Sequence, residues 1–483
     1  MNSLRLCRNF VVQAYGGVRN RCGTRFVAEV KDSSKYTRAV PFTYSTEQAY
    51  MLEFGEYYMR VFKNGAAVVL ASTPSAWVTS TAYAAGNHVS VAGVNYYCTT
   101  AHTSGTWATD LPLYWYALTD NIVEIPTQWG ESDLELLKFT QSADVLTVCH
   151  TDYPPTNISR AAADTWLIEE VAVEYGPFDD TNEVTTTTVY STTAAGTAGI
   201  IASTGIFTAT DVGKLFYIEQ KDKTQSWVAG ATVAAGNIRR ANDKYWVVLT
   251  GTTCGSDKPD AEENNWNDGG VNWQFLHPGF GVGELISVAS TTAASANVVS
   301  RIPDGTVGTA NATYKWAKGL WNDTDGYPGC TTYHQQRQFY AGSPARPQTI
   351  WGSKSGDFTN FGKSSPIVDD DAVTYPLAGK QVNEVRHLVS SPGGALLAFT
   401  SDGTWTITGS ENEGALTPTV VQATPQEFNG VSHVAPLTIG NRALYIQQKG
   451  SVVRDLSFDF ATNSYAGDNL SEMAAHLLEG HFI

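Results

Sequence analysis

The apolar residues of this chain fall in short runs rather than in long stripes. Phe10-Val11-Val12, Arg25-Phe26-Val27-Ala28-Glu29-Val30, Ala39-Val40-Pro41-Phe42, Ala49-Tyr50-Met51-Leu52-Glu53-Phe54 and Met59-Arg60-Val61-Phe62 are separated by Gly16-Gly17, Gly55 and Asn64-Gly65. Runs of this length between turn residues predict strands joined by hairpins over residues 1–72. No long stretch carries apolar residues at i, i+3 and i+4, except near the C-terminus. Strand–turn–strand units recur at Ala395–Thr408 and Ala443–Phe460, with turns at Asp402-Gly403 and Lys449-Gly450. The pattern predicts a mainly β chain. Short antiparallel sheets repeated around an axis build a propeller, so a β-propeller-like body is expected. A β-sandwich competes with it.

Two stretches break this style. Residues 73–118 are rich in Trp and Tyr and nearly free of charge, and the run Thr185–Thr188 opens a second unusual region over 181–300. Trp77-Val78, five residues, then Ala84-Ala85-Gly86-Asn87 is matched by Trp227-Val228, five residues, then Ala234-Ala235-Gly236-Asn237. Further along, Tyr96-Tyr97 aligns with Tyr245-Trp246, Pro112 with Pro259 and Trp115 with Trp273. Agreement over about forty residues predicts two copies of one small β-rich module. The expected organisation is a β body made of residues 1–72, 119–180 and 301–483. It is interrupted by a first module at 73–118 and by the region 181–300, with the second module near 226–277.

Composition narrows the function classes. The chain has 483 residues, 42% apolar and only 16% charged, which fits a globular strand-rich protein. Its net charge of −16 argues against tight binding to duplex DNA, yet suits a wall past which DNA moves without sticking. Residues 1–40 carry about +6 of charge against about −22 for the rest. Arg5, Arg8, Arg19, Arg21 and Arg25 are therefore candidates for docking an acidic partner. The six cysteines include no CxxC pair, which predicts free thiols in a reducing cytoplasm and no zinc site. No signal peptide is read, and no apolar run reaches the length of a bilayer span, so no membrane insertion is expected.

The search for chemistry yields no catalytic constellation. Glu169-Glu170, Glu262-Glu263 and Asp369-Asp370-Asp371 are adjacent acids, and neighbours on a strand point to opposite faces. Asn322-Asp323-Thr324-Asp325-Gly326 lacks the closing glutamate of a calcium loop and reads as a turn. Gly279-Phe280-Gly281-Val282-Gly283 precedes a strand, where a phosphate-binding loop opens a helix. The expectation is a protein that is not an enzyme and uses no cofactor or metal. Aromatic rings are the better candidates, because sugar CH faces pack on them without need of charge. Trp107, Tyr114 and Trp266, in loop-like stretches, are candidate glycan contacts together with Tyr97 and Trp246. Trp77, Tyr96, Trp115, Trp227, Tyr245 and Trp273, common to both copies, are read as module core.

The series Trp77-Val78, Tyr83, Gly86-Asn87, Gly93, Tyr96, Pro112 and Trp115 resembles the small chitin-binding type of carbohydrate-binding module. Asn87 stands where that family commonly has Asp, and the second copy has Val233 in place of the early Tyr. The body resembles the nozzle, or tail tubular, proteins of short-tailed bacteriophages. The stretches that carry this likeness are Gly16–Val27, Pro41–Phe54, Gln141–Val145, Gln336–Ser343 and Val453–Phe460. That resemblance implies a propeller-bearing subunit of a hexameric tail tube through which DNA is ejected. It also implies docking to a head–tail adaptor and to tail fibres or tailspikes, in a virion assembled in the bacterial cytoplasm. Related chains continue past the segment like Leu470–Leu477, which implies a body whose last part is either absent or supplied by another chain. A virion adhesin that binds host glycans and a polysaccharide depolymerase are the alternative functions.

Overall fold

The computed structural model describes residues 7–13, 15–45, 48–119, 121–222, 224–262, 265–379, 383–391, 394–409, 414–459 and 464–472. The chain is mainly β. It divides into two compact units, Met1–Leu134 with Arg160–Leu167, and Glu135–Ser159 with Ile168–Ile483. The helical C-terminal pattern and Arg5 lie outside the described residues.

In the first unit, Arg38–Thr43, Ala49–Gly55 and Tyr58–Lys63 form an antiparallel sheet that Glu124–Pro126 extends. Alternation decides its faces: Val40, Phe42, Tyr50, Leu52 and Phe54 are buried, while Met51 between them is exposed. The expected strand over Arg25–Val30 is not formed. None of those residues is buried and no neighbouring strand pairs with them, so nothing offsets the cost of ordering them. The basic segment is tied to the unit by Lys31, whose Nζ lies 2.5 Å from the buried Glu124 carboxylate. Arg60 Nε holds the other oxygen at 2.7 Å and Tyr116 donates to the first at 2.6 Å. Trp166 is fully buried between the edges of Phe42 and Tyr50, with ring centroids 4.8 and 5.4 Å away.

The first module is a true insertion in the geometric sense. The chain leaves after Ala66–Ala67 and returns to pair Glu124–Pro126 with Tyr58–Arg60 of the strand on which Ala66–Ala67 also pairs, and Val69 bridges Ile122 at the neck.

In the second unit, four-stranded antiparallel meanders follow one another. One runs Cys330–His334, Arg337–Ala341, Thr349–Gly352, Val373–Pro376. Another runs Val385–Ser390, Leu396–Thr400, Thr404–Thr408, Gln422–Glu427. A third runs Leu437–Ile439, Arg442–Ile446, Val453–Asp459, Ser464–Ala466. A fourth comprises Lys138–Ser142, Val145–His150, Tyr153–Arg160 and Trp166–Glu170, and the tip Arg160–Leu167 belongs to the first unit.

Their packing explains the unbroken run Leu396-Leu397-Ala398-Phe399. Leu396 and Ala398 join Phe339, Ala341 and Ile350 of the preceding meander. Leu397 and Phe399 turn the other way, to Ala443, Tyr445 and Leu456 of the following one. A strand buried on both faces has no reason to alternate. Stacked blade-like meanders are thus present, while a closed propeller ring is not seen among the described residues.

The region beginning at 181 builds a six-stranded sheet in the order Val189–Ser191, Thr197–Ala202, Ala293–Ser300, Phe280–Ser290, Leu215–Glu219, Trp316–Lys318. Its last strand carries the region past the expected boundary at 300, because Trp316–Lys318 pairs with Leu215–Glu219. The second module fills residues 220–279, between two strands paired with each other; Glu219 faces Phe280 at the neck.

Trp166→Ala removes the ring that fills the first unit's core. It is expected to cost about 3–5 kcal/mol in urea unfolding; a loss below about 1 kcal/mol would contradict this packing account.

Candidate functional site

The two modules share one backbone hydrogen-bond set, displaced by 150 positions. Trp77 N–H donates to Ser90 O at 3.2 Å and Trp227 N–H to Arg240 O at 2.8 Å. Gly86 N–H donates to Cys98 O and Gly236 N–H to Val248 O, both at 2.9 Å. Ser104 N–H meets Thr81 O and Cys254 N–H meets Ala231 O, again both at 2.9 Å. Gly86 and Gly236 adopt φ of 85° and 83°, a left-handed turn that favours glycine. Asn87 Oδ1 accepts the Ala84 N–H at 2.9 Å, and Asn237 Oδ1 accepts that of Ala234 at 3.1 Å. A carboxylate oxygen would serve the same turn, which accounts for Asn standing where Asp is common.

This register corrects the alignment of Tyr96 with Tyr245. Val89 faces Tyr96 across the first hairpin, and Arg239 faces Trp246 across the second. Trp246 therefore occupies the place of Tyr96, and Tyr245 that of Asn95. A slip of one residue exchanges the faces of a strand. Trp115 and Trp273 do correspond, facing Cys98 and Val248.

In the first module the aromatic rings form a connected cluster. Trp107 meets Tyr96 edge-on at 4.8 Å, Trp77 edge-on at 5.5 Å and Trp115 at 5.9 Å. Trp115 is buried, whereas Trp77, Tyr96 and Trp107 pack on the core and are half-buried, as Trp227 and Trp266 are in the second module. Trp77 and Tyr96 pack against the core cluster without being fully enclosed by it. Trp107 and Tyr114, read as loop residues, open and close a helix, Trp107–Tyr114. Thr106 and Asp110 at its start are the signal that could have disclosed it. Tyr114 is half-buried, with one face stacked on His102 at 4.1 Å. Tyr97 is not available as a contact, being buried with its hydroxyl donating to Trp166 O at 3.0 Å.

The second module is closed by a residue that the sequence reading missed. Asp268 is fully buried, and its Oδ2 accepts the indole N–H of Trp273 at 2.8 Å and of Trp227 at 3.0 Å. Its Oδ1 accepts the N–H of Val271 at 2.7 Å and of Gly270 at 2.9 Å. Burial alone would raise this carboxyl's pKa, but the hydrogen bonds from Trp273, Trp227 and the backbone hold it below the ordinary 3.8. Trp246 and Tyr245 are buried, so Trp246 is withdrawn as a glycan contact: its ring fills the core against Phe275 at 5.5 Å. Trp266 is half-buried in a short strand, Trp266–Asn267, and donates to Asp257 O. Trp227 is also half-buried, and Trp273 is core. In the first module Trp77 and Trp115 have no such acceptor among the described residues. Asp110, its buried carboxylate, instead accepts the Gly105 N–H at 2.8 Å.

Elsewhere, Arg8, Arg19, Arg21 and Arg25 are exposed. Asp371 is buried and bound by Lys354 and Ser364, while Arg337 gathers the carbonyls of Asp369, Asp370 and Asp371. Asn322 and Gly326 close a turn, and Phe280 begins a strand.

Residues 76–115 match the model of carbohydrate-binding module family 5/12. No curated protein matches the chain. Among solved structures, a chain of PorZ, described as an essential bacterial surface component of the type-IX secretion system of Porphyromonas gingivalis, is similar at 11% identity and a TM-score of 0.20. The likeness covers 95% of this chain and 58% of that one, and at that score it carries no argument. The resemblance to phage tail tubular proteins finds no support among these comparisons.

Asp268→Ala leaves the buried indole N–H of Trp273 and the part-buried one of Trp227 without their acceptor, and is expected to cost about 2–4 kcal/mol in urea unfolding. Because the folded-state pKa is depressed, the carboxylate's contribution is present above the ordinary value of 3.8 and is lost as pH falls through the lower folded value. Asp268→Asn should therefore flatten the acid limb of a stability–pH curve below about pH 3.8. An unchanged limb would contradict the role given to Asp268.

Proposed function

We propose that this protein binds carbohydrate through its first module, residues 73–118, and that the ligand is a chitin-like chain of N-acetylated sugars. The observation that carries this is the family match at 76–115 falling on the connected, half-buried cluster of Trp77, Tyr96 and Trp107. The rings offer apolar faces to sugar CH groups, and their mutual edge contacts fix them before binding, which lowers the ordering cost. Thr106 and Thr109, exposed beside Trp107, supply hydroxyls that donate to and accept from the sugar. The second module is a scaffold copy in this reading: Trp246 and Trp273 are buried, and the half-buried Trp227 is tied to Asp268.

A structural reading of the body stands second: a subunit of a short phage tail tube, ringed with copies of itself and joined to an adaptor and to fibres in the virion. Its support is the quoted sequence stretches and the stacked meanders. It invokes no catalysis, and DNA enters it only as passing cargo. Closed rings in negative-stain images are the observation that would favour it.

Retention of the full chain on chitin beads tests the main reading. Trp107→Ala is expected to weaken retention about tenfold or more, with Trp107→Phe recovering part of it and Trp266→Ala leaving it unchanged. Equal retention of the wild type and a folded Trp107→Ala variant would overturn the assignment.

A further inference from the structure

A second aromatic site lies far along the chain from the first module. Within the second unit, an open cleft of about 590 Å³ is bounded by the neck of the second module, the six-stranded sheet and the loop around Phe361. That volume lies within the roughly 300–1,000 Å³ typical of small-molecule sites. Tyr175, Phe178, Tyr217 and Phe280 line it, each half-buried. Their rings form a connected row: Phe178–Tyr217 at 5.4 Å, Tyr217–Phe280 at 5.2 Å and Phe280–Tyr175 at 6.3 Å.

The row is fixed by pairing rather than by chance contact. Tyr217 and Glu219 are two apart on one strand and so share a face, and Phe280 stands opposite Glu219. Tyr175 is held by the Phe361 N–H, which donates to its carbonyl at 2.7 Å, and its hydroxyl pairs with Ser300 Oγ at 2.7 Å.

The polar groups select the ligand class. Glu219 accepts from Lys315 at 2.6 Å and from the Tyr217 hydroxyl at 3.1 Å, and Arg240 pairs with Asp243 at 2.6 Å. Asp179 pairs with Arg346. A phosphate or carboxylate would find Lys315 and Arg240 already paired and the carboxylates of Asp179, Asp180, Glu219 and Asp243 in the lining, which the exposed Lys221 and Lys363 balance without giving the cleft a net positive charge. A wholly apolar ligand would strip water from Glu219 and Asp243 without replacing its hydrogen bonds. A neutral polyol meets both demands, because its ring faces pack on the aromatic row and its hydroxyls donate to the carboxylates. We propose that this cleft is a second binding site, for a short neutral saccharide. It does not depend on the first module's being a carbohydrate binder.

Calorimetric titration of the full chain carrying Trp107→Ala isolates the cleft. The probes are chitotriose, cellotriose and maltotriose, with a phosphorylated sugar as the anionic arm. At least one neutral trisaccharide is expected to bind at one site per chain. Phe178→Ala and Tyr217→Ala should each weaken it about tenfold or more, while Tyr217→Phe retains it; melting temperature serves as the fold control. Three results would overturn the proposal: no trisaccharide binds the Trp107→Ala chain, binding survives both cleft substitutions in folded protein, or the anionic sugar binds more tightly than every neutral one. Failure of the first-module reading shows separately, as wild-type retention on chitin that Trp107→Ala does not change.

Discussion

Glu219 faces Phe280 across an antiparallel pair, and Val69 bridges Ile122 in the same sense. These closures are what the rest of the molecule depends on. Backbone N–H and C=O groups must find partners, and a module inserted into a sheet has to return its chain to that sheet. The second neck does so with a strand pair and the first with a single bridge beside the returning strand Glu124–Pro126, so each module folds around its own core without breaking the host sheet. The same closure at Glu219 and Phe280 sets the floor of the cleft in the second unit, since it brings Tyr217, Glu219 and Phe280 together.

The two modules show how one backbone supports two outcomes. Their hydrogen bonds coincide at a constant displacement, yet their indoles are managed differently. In the second, Asp268 accepts hydrogen bonds from both indole N–H groups and ties the half-buried Trp227 to the buried Trp273. In the first, a helix places Trp107 over Trp77 and Tyr96, and these rings keep part of their surface in solvent. Rings left partly open at the surface of a small module leave a face that a ligand can cover.

Much of this was legible in the sequence, for identifiable reasons. The strands at Ala49–Gly55 and Leu396–Thr400 follow directly from apolar spacing and turn residues. The repeat was visible because Trp-Val and Ala-Ala-Gly-Asn serve the same turns in both copies. The pairing of Tyr96 with Tyr245 failed because adjacent aromatics offer two registers, and only the hairpin partners choose between them. Tyr97 and Trp246 looked like surface rings because burial is a tertiary property that ring type does not encode. Arg25–Val30 has strand composition but no neighbour to pair with. Asp268 was invisible as a lone acid in a glycine-rich loop, since its role exists only once two tryptophans converge on it.

The central claim is that the two copies have diverged, the first binding sugar through the cluster around Trp107 and the second having Trp227 and Trp273 tied to Asp268. Hydrogen–deuterium exchange on the full chain, with and without a soluble chitin oligosaccharide, tests it most directly. The account predicts slower exchange over residues 76–115 on adding the sugar, with 226–277 unchanged. Protection over 226–277 with none over 76–115 would contradict it.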